Sequence, residues 1–306
     1  MMSIIITGAT GFVGQNLTSY LNSHNISIQA LSLRDSTWRT SFPKGGDALI
    51  HLAGKAHDTT NTSADEEYFK INYDLTLNLF DEFLKSDIKD FFYFSSVKAV
   101  ADTVSGRLDE IVEGQPATAY GKSKLKAEQY LLSQTLPNQK RLFIIRPCMI
   151  HGPGNKGNLN LLYNVVRKGI PWPLADFDNQ RSFLSIDNLS YLITQMLLKR
   201  ELPSGIYNFS DDQTLSTNEL VETISLTLGK TTRLWHIPAG LIRTCVKIGD
   251  ILPLPLNSER LKKLTESYAV SNDKIKTNLG IEQLPLTTRE GLAITIRSFQ
   301  NRLHLK

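Results

Sequence analysis

Ser96, Tyr120 and Lys124 are the residues of this chain whose types and spacing can move a proton. Ser96 follows Ser95 at the end of an apolar run, Phe91–Ser95 (FFYFS), that reads as a buried strand. In an open parallel sheet, ligands collect outside the carboxyl ends of strands, so hydroxyls placed there count for more than hydroxyls in a loop. Tyr120 and Lys124 stand four residues apart in a helical segment, Thr118–Ser133, and so share one helix face. A free phenol titrates at about 10, too high for a useful base at neutral pH. An ammonium one turn away favours the phenolate, as would an oxidised nicotinamide ring. The tyrosine could then take a proton from a substrate hydroxyl as hydride leaves the same carbon, or return one in the reverse direction. Ser96 would hold that hydroxyl or carbonyl, and Lys124 would also hydrogen-bond a nicotinamide ribose. An ordinary amphipathic helix with a half-buried tyrosine and an exposed lysine would present the same pair; the serine and the glycine turn upstream tip the reading toward chemistry.

That turn lies in Ser3–Gly14 (SIIITGATGFVG). Ser3–Ile6 reads as a short buried strand, and Phe12–Leu21 has helical apolar spacing at Phe12, Val13, Leu17 and Leu21. Between them Gly8, Gly11 and Gly14 follow a G-x-x-G-x-x-G spacing in place of the general G-x-G-x-x-G fingerprint. Glycines let the backbone approach a pyrophosphate, and the helix N-terminus favours its charge. Thr10, Phe12 and Val13 are the turn's other candidate contacts. A tight strand–helix turn with no ligand is the plainer alternative.

The next strand, Ile26–Leu31, ends in Ser32-Leu33-Arg34. A carboxylate near this point suits the ribose hydroxyls of NAD, and an arginine suits a 2′-phosphate. No carboxylate stands at the strand end, and Arg34 lies next to Asp35, so the reading leans to NADP over NAD, although a surface Arg–Asp pair would look identical. A third strand, Asp47–Gly54 (DALIHLAG), ends in Leu52, Ala53 and Gly54, where backbone could pass close to a cofactor. Only twelve residues separate Arg34 from Asp47, too few for a full helix and another strand. A helix over Ala64–Lys85 carries Asn72, a further candidate cofactor contact, and a strand at Leu142–Arg146 is stopped by Pro147, another. This alternation predicts right-handed βαβ units and a doubly wound, Rossmann-type parallel sheet with a smaller C-terminal α/β lobe. Residues 1–150 read as the dinucleotide lobe, with a return near 183–200, and 151–306 mainly as the substrate lobe. His151–Asn160 reads as the loop between them. Helices are expected at Leu161–Lys168, Asn188–Lys199, Thr217–Leu228, Ala239–Ile251 and Arg289–Arg302, with short strands at Phe183–Ile186 and Ile206–Phe209.

Composition bounds the partners. A net charge of +4 without a long basic run gives no nucleic-acid footprint. Arg260, Lys262 and Lys263 form the densest basic cluster, for which a solvated helix face is the default. No apolar run approaches a membrane span. The first strand begins at once, so no signal peptide is expected, and two cysteines, Cys148 and Cys245, fit a reducing, cytoplasmic setting. His51, in an apolar strand, reads as a satisfied core residue. His57, His151 and His236 lack partners at metal-ligand spacing, so no metal is expected. Cys148 reads as packing, and Trp172 and Trp235 as core or lobe-interface residues.

Taken in order, TGATGFVG, DALIHLAG, FSS, YGKSK and RPCMIHGPG resemble the extended short-chain dehydrogenase/reductases over essentially the whole chain. Most similar is the sugar-nucleotide branch, the UDP-hexose 4-epimerases and UDP-4-keto-sugar reductases. The resemblance implies Tyr120 as acid/base, Lys124 as its partner, Ser96 as the substrate-oxygen ligand, and Gly8, Gly11 and Gly14 as the pyrophosphate turn. It also implies Asn158 and Leu159 as nucleotide contacts and Arg181 as a partner of the diphosphate, with Arg260 a second contact or a surface residue. A homodimer through helices that include Thr118–Ser133 is a family-based expectation.

Departures from the family narrow the reaction. The 4,6-dehydratases place an Asp-Glu pair beside the catalytic hydroxyl, whereas Ser96 is followed by Val97 and Lys98. Epimerases commonly carry Asn where Met149 stands and Asp where Ser32 stands. The pattern resembles reductases of UDP-4-keto-6-deoxy-N-acetylhexosamines as well, in which Lys98 could face substrate or be a solvated loop lysine. The expected activity is an NAD(P)-dependent 4-epimerase of a UDP-hexose or UDP-N-acetylhexosamine, with an NADPH-dependent 4-keto reductase of polysaccharide biosynthesis as the alternative. A non-catalytic dinucleotide-binding sensor and a reductase of a hydrophobic carbonyl compound are the readings outside that class.

Overall fold

The computed structural model describes residues 2–35, 37–56, 64–155, 157–251 and 257–303, so the expectation for His57 lies outside the described residues. The first half runs β1 (Ser3–Thr7), α1 (Phe12–Ser23), β2 (Ser27–Leu31), β3 (Ala48–His51), α2 (Asp65–Phe69), α3 (Leu75–Lys85), β4 (Asp90–Phe94), β5 (Arg107–Leu108), α4 (Ala119–Ser133) and β6 (Arg141–Pro147). Then follow β7 (Met149–His151), α5 (Asn158–Arg167), β8 (Phe183–Ser185), α6 (Ile186–Leu198), β9 (Gly205–Phe209) and α7 (Thr217–Thr227). The chain ends with α8 (Ala239–Ile251), α9 (Ser258–Thr265), β10 (Ala269–Val270), α10 (Asp273–Leu279) and α11 (Thr288–Leu303).

Six strands form one all-parallel sheet in the order β2-β1-β3-β4-β6-β9. The strands are nearly continuous apolar runs because both faces are covered. Alternation divides them: Ile4, Ile6, Ile50, Phe92, Phe143 and Ile145 share a core with α1 and α6 residues such as Leu17 and Leu189. Ile5, Leu49, Phe91, Tyr93 and Ile144 pack on the other side with Leu79, Phe83 and Leu131 of α3 and α4. Full burial of each such side chain stabilises by about 1.5–3 kcal/mol. This is the doubly wound Rossmann-type α/β arrangement, and its order reverses between β1 and β3, the switch point at which such sheets bind ligands.

The boundaries differ from expectation where backbone leaves the sheet early. β3 stops at His51, so Leu52–Gly54 are free to curl beside the glycine turn. The helix expected over Ala64–Lys85 is broken by a π-helical turn at Lys70–Asp74, centred on Asn72. The expected loop from His151 is shorter than foreseen: His151 ends β7, which pairs with β8, and α5 begins at Asn158. The strand β9 pairs with β6 as the sixth strand of the main sheet, and α6 packs on α1. A second apolar cluster gathers α5, α7, α8 and α11, with Leu159, Tyr163, Trp172, Ile242, Ile296 and Phe299 among its members. Trp172 is buried there, but Trp235 is 56% exposed, correcting the expectation for it: alternation in the extended stretch Thr231–Trp235 turns Leu234 inward and Trp235 out. Among the described residues no helix is long and apolar enough to cross a membrane.

Candidate active site

At the switch point the glycines are required by space. Gly8 has φ +72°, and a Cβ there would lie 2.7 Å from Ala53 N. A Cβ on Gly14 would collide with the Gly8 carbonyl and lie 2.7 Å from Ala9 Cα. The turn is therefore pressed between the α1 N-terminus and the Leu52–Gly54 backbone, with Thr10 exposed and Phe12 and Val13 half-buried beside it. Phe12 abuts Gly152, and Asn16 Nδ2 donates to Pro153 O at 3.3 Å, which seats the Gly152–Gly154 segment on α1. Ser32 and Arg34 follow β2 and are exposed. Asp35 accepts from Thr37 N at 2.9 Å, and among the described residues Arg34 forms no ion pair with it. This cradle of free backbone fits a dinucleotide pyrophosphate, and the exposed Arg34 fits a 2′-phosphate.

Thr7 and His51 brace the strand ends beneath. His51 Nδ1 and Thr7 Oγ1 are 2.7 Å apart, and His51 Nε2 lies 3.0 Å from Thr76 Oγ1. Burial, with Lys124 adding to it, lowers the His51 pKa to about 3, so the ring is neutral and satisfied, as the sequence suggested. Asn72 is fully buried. Its amide accepts from Lys55 N at 2.8 Å and donates to Lys55 O and Ser123 Oγ, both at 3.1 Å. The π-turn sends the amide inward, where it ties the loop after Gly54 to α4. Pro147 closes β6 from a buried position, beside Cys148, whose thiol pKa burial raises.

The structure brings Ser96, Tyr120 and Lys124 together. Ser96 caps a short 3-10 turn, Val97–Ala99, accepting from Lys98 N at 3.1 Å. Thr118 caps α4 by accepting from Gly121 N at 3.2 Å. A Cβ on Gly121 would run into Lys98 O and lie 2.6 Å from Pro116 Cβ, so this glycine lets α4 lie against the Ser96 turn. Burial raises the Tyr120 phenol, and its hydrogen bond with Ser96 works in the opposite direction. Lys124 Nζ donates to Phe94 O at 2.7 Å and sits 4.8 Å from the Tyr93 ring centre. Burial lowers its pKa to about 8, with Glu128 opposing. A Cβ on Gly54 would lie 3.3 Å from Lys124 Nζ, so the backbone after β3 and this lysine share one small space.

The second-half residues divide. Lys98 is no solvated loop lysine: Nζ donates to Asp102 O at 2.7 Å and lies 4.2 Å from the Tyr268 ring centre, and burial lowers its pKa. Glu266 and Asp102 on one side and Arg181 and Lys262 on the other act on it electrostatically, so charges of both signs surround the lysine two residues beyond Ser96. Arg181 donates to Lys263 O at 2.7 Å and is half-buried. Leu159 is only 2% exposed, with its side chain in the second apolar cluster, so its backbone is the part that can meet a nucleotide. Asn158 opens α5, where first-turn N–H groups lack helical acceptors. Arg260 lies on the exposed face of α9.

Sequence reading missed Glu128 and Tyr268. Buried Glu128 binds Arg146 through Nε at 3.1 Å and Nη2 at 2.5 Å and accepts from Ser95 Oγ. Its signal was available, since it stands one turn beyond Lys124 on the buried stripe of α4. Tyr268 OH donates to Ala101 O at 2.7 Å and Val97 O at 3.1 Å, anchoring the Ser96 turn from far along the chain, and no local pattern marks it. Among the described residues no group of three or more His, Cys, Asp or Glu is arranged to hold a metal.

Residues 4–209 match the sequence profile of the NAD dependent epimerase/dehydratase family. The chain belongs to this family. A UDP-glucose 4-epimerase of Vibrio cholerae is 30% identical, covering 97% of this chain and 95% of the relative. An N-acetyl-α-D-glucosaminyl-diphospho-ditrans,octacis-undecaprenol 4-epimerase of Escherichia coli O157:H7 is 27% identical over 93% and 88%. A GDP-6-deoxy-D-mannose reductase of Pseudomonas aeruginosa is 25% identical over 72% and 79%. The same fold occurs in an RMD structure from Pseudomonas aeruginosa complexed with NADPH, with TM-score 0.75 and 20% identity over 99% and 100% of the chains. It also occurs in a Thermus thermophilus UDP-glucose 4-epimerase complexed with NAD, with TM-score 0.74 and 19% identity over 98% and 99%. Epimerases and a reductase that act on diphosphate-linked sugars are thus among the relatives of this chain.

Proposed function

We propose that this chain carries out NAD(P)-dependent redox chemistry at C4 of a UDP-hexose or UDP-N-acetylhexosamine, as a 4-epimerase. The observation that carries the reading is the hydrogen-bonded Ser96–Tyr120 pair, set above buried Lys124 and beside Gly54. Gly8, Thr10, Gly11, Phe12, Val13 and Gly14 would hold the pyrophosphate, Ser32 and Arg34 the adenosine ribose, and Leu52–Gly54, Lys124 and Pro147 the nicotinamide end. When bound, the nicotinamide supplies the hydride acceptor or donor and, oxidised, a positive ring that favours phenolate. Tyr120, its phenol held high, keeps a proton to give to a C4 oxygen that becomes an alkoxide, and recovers it in the opposite direction. Ser96 holds the same oxygen and fixes the sugar's distance from the phenol. Arg181 and Lys98 offer donors for the diphosphate, with Arg260 further out. Val97 and Lys98 supply no carboxylate for 4,6-dehydration.

Arg34, exposed at the end of β2 where a 2′-phosphate would lie, favours a second reading, an NADPH-dependent reductase of a UDP-4-keto-6-deoxy-hexosamine. Both readings place the dinucleotide in residues 1–150 with their return at 183–200, the sugar nucleotide mainly in 151–306, and the homodimeric enzyme in the cytoplasm. The test is to purify the protein without added cofactor, denature it, and identify the released dinucleotide by mass spectrometry. Stoichiometric NAD, with conversion of UDP-glucose or UDP-N-acetylglucosamine that falls about 100- to 10,000-fold in Tyr120→Phe, supports the epimerase. An empty site that binds NADPH more tightly with UDP present supports the reductase. A site that binds neither dinucleotide ends both readings, and intact NADP binding without activity on any sugar nucleotide points to a sensor.

A further inference from the structure

Tyr268 touches both halves of the proposed site, one with its main chain and the other with its side chain. The main chain belongs to the second lobe. Tyr268 N donates to Gln180 O at 2.7 Å, and Tyr268 O accepts from Ser182 N at 2.9 Å, so the residue brackets Arg181 from one side. Leu215 brackets it from the other, exchanging backbone bonds of 3.0 and 2.9 Å with Arg181 itself. The guanidinium is tied to the same stretch, because Arg181 Nη1 donates to Lys263 O in the segment that leads into Tyr268. Arg181 and Tyr268 are thus neighbouring rungs of one backbone network.

The side chain belongs to the Ser96 turn. Tyr268 is buried, and its hydroxyl reaches Val97 O at 3.1 Å and Ala101 O at 2.7 Å. Burial, with Asp102 adding to it, holds the phenol well above its ordinary range, so it stays a donor. Lys98 lies over the ring, 4.2 Å from its centre, and donates to Asp102 O. The Asp102 carboxylate accepts from Ala117 N at 2.6 Å, next to the Thr118 cap of α4. One side chain therefore holds the segment that follows Ser96 and adjoins the helix start that carries Tyr120. A buried tyrosine hydroxyl is satisfied by one acceptor. Two carbonyls at the two ends of one turn, with the main chain locked beside the arginine, make this residue a brace.

We propose that Tyr268 is a positioning residue that couples the grip of Arg181 on a nucleotide diphosphate to the placement of Ser96. The inference rests on the proposed reading of Arg181 as a diphosphate partner, and it adds a route by which the nucleotide end sets the turn that holds the reacting oxygen. An anion that fixes Arg181 fixes the Tyr268 backbone with it, and the hydroxyl carries the constraint to Val97 and Ala101.

The test follows amide hydrogen exchange over Val97–Ala101 in the full chain, with and without UDP. Saturating UDP should slow exchange there roughly fivefold or more in the unaltered protein. In Tyr268→Phe, which keeps the ring over which Lys98 lies, UDP should still bind and the slowing should be lost. In turnover of the accepted sugar nucleotide, Tyr268→Phe should lower kcat on the order of 10- to 100-fold with KM changed by less than about threefold. A residue that served folding alone would lower the unfolding midpoint without that split. Slowing that persists in Tyr268→Phe overturns the proposal, because the ligand would then act on the turn directly, as through Lys98; an unchanged kcat overturns it as well. UDP that binds the unaltered protein without slowing exchange at the turn overturns the coupling and leaves the reading of Arg181 standing. UDP that does not bind at all overturns that reading and the coupling with it.

Discussion

Lys124 and Arg146 are both buried cations on the floor of the same cleft, one on α4 and one on β6, and the chain treats them differently. Arg146 meets a carboxylate of matching shape: the Glu128 fork takes its Nε and Nη2, with Ser95 adding a third donor to that carboxylate. Lys124 has a main-chain carbonyl and an aromatic face, and Glu128, one turn away, only partly offsets its burial. A compensated charge is fixed, and it holds β4, α4 and β6 in register beneath Ser96. An undercompensated one sits near its titration point at about 8 and remains responsive to whatever charge enters the cleft. The contrast separates buried charge held by a matching counter-charge from buried charge left open to titration.

Breaking the compensated pair should have the largest effect. Glu128→Gln leaves the Arg146 guanidinium buried without its counter-charge and is expected to cost about 3–5 kcal/mol, read as a fall in denaturant midpoint. A Glu128→Leu, Arg146→Met double variant should recover most of that loss; if it does not, the pair contributes more than mutual compensation.

Removing the undercompensated charge should do the opposite to stability. The folded-state pKa of Lys124 is lowered from 10.5 to about 8, so between those values the unfolded chain binds more protons and stability rises with pH. Below pH 8 the cost of keeping the ammonium buried is fully present, on the order of 3 kcal/mol. Lys124→Met should therefore be more stable than the parent at pH 7, with the advantage vanishing above about pH 10, while turnover is lost. Equal stability of the two at pH 7 would mean that the ammonium is well compensated after all.

His51 should shape the acid limb by the same logic. Its pKa falls from 6.5 to about 3, so stability is lost as pH drops through that window because the unfolded chain takes up the proton first. His51→Gln should flatten the unfolding free energy between those pH values, and an unchanged acid limb would contradict the neutral buried ring. The smallest effect is expected of Ser95→Ala. Loss of one hydrogen bond to the Glu128 carboxylate should cost about 1.5–3 kcal/mol, with dinucleotide binding retained. Calorimetry and a binding titration on the same sample separate the two.

Much of this site was legible in sequence because its parts are local. The glycine turn, the strand-end serine and the Tyr120–Lys124 pair each occupy a few consecutive residues, and parallel-sheet geometry carries strand ends to one edge whatever the loops do. The strands read well because burial on both faces requires unbroken apolar runs. Asn72 and Leu159 show the limit. Both are candidate contacts in the sequence, and a π-turn sends the side chain of one inward while the first turn of α5 sends that of the other into the core. Side-chain direction depends on helix phase, and a shift of a few residues in an element's start turns a surface position into a buried one.

By itself, the sequence determined the architecture and singled out the candidate trio, since apolar periodicity, glycine spacing and a four-residue helical offset are properties of neighbouring residues. Tertiary structure alone decided the state of the charges. It placed Lys124 on Phe94 O, closed Glu128 on Arg146, and set Lys98 among Glu266, Asp102, Arg181 and Lys262 from distant segments. The physical reason is common to all of these: a pKa and an exposed face are set by what lies nearby in space, and burial arises only when separate elements pack.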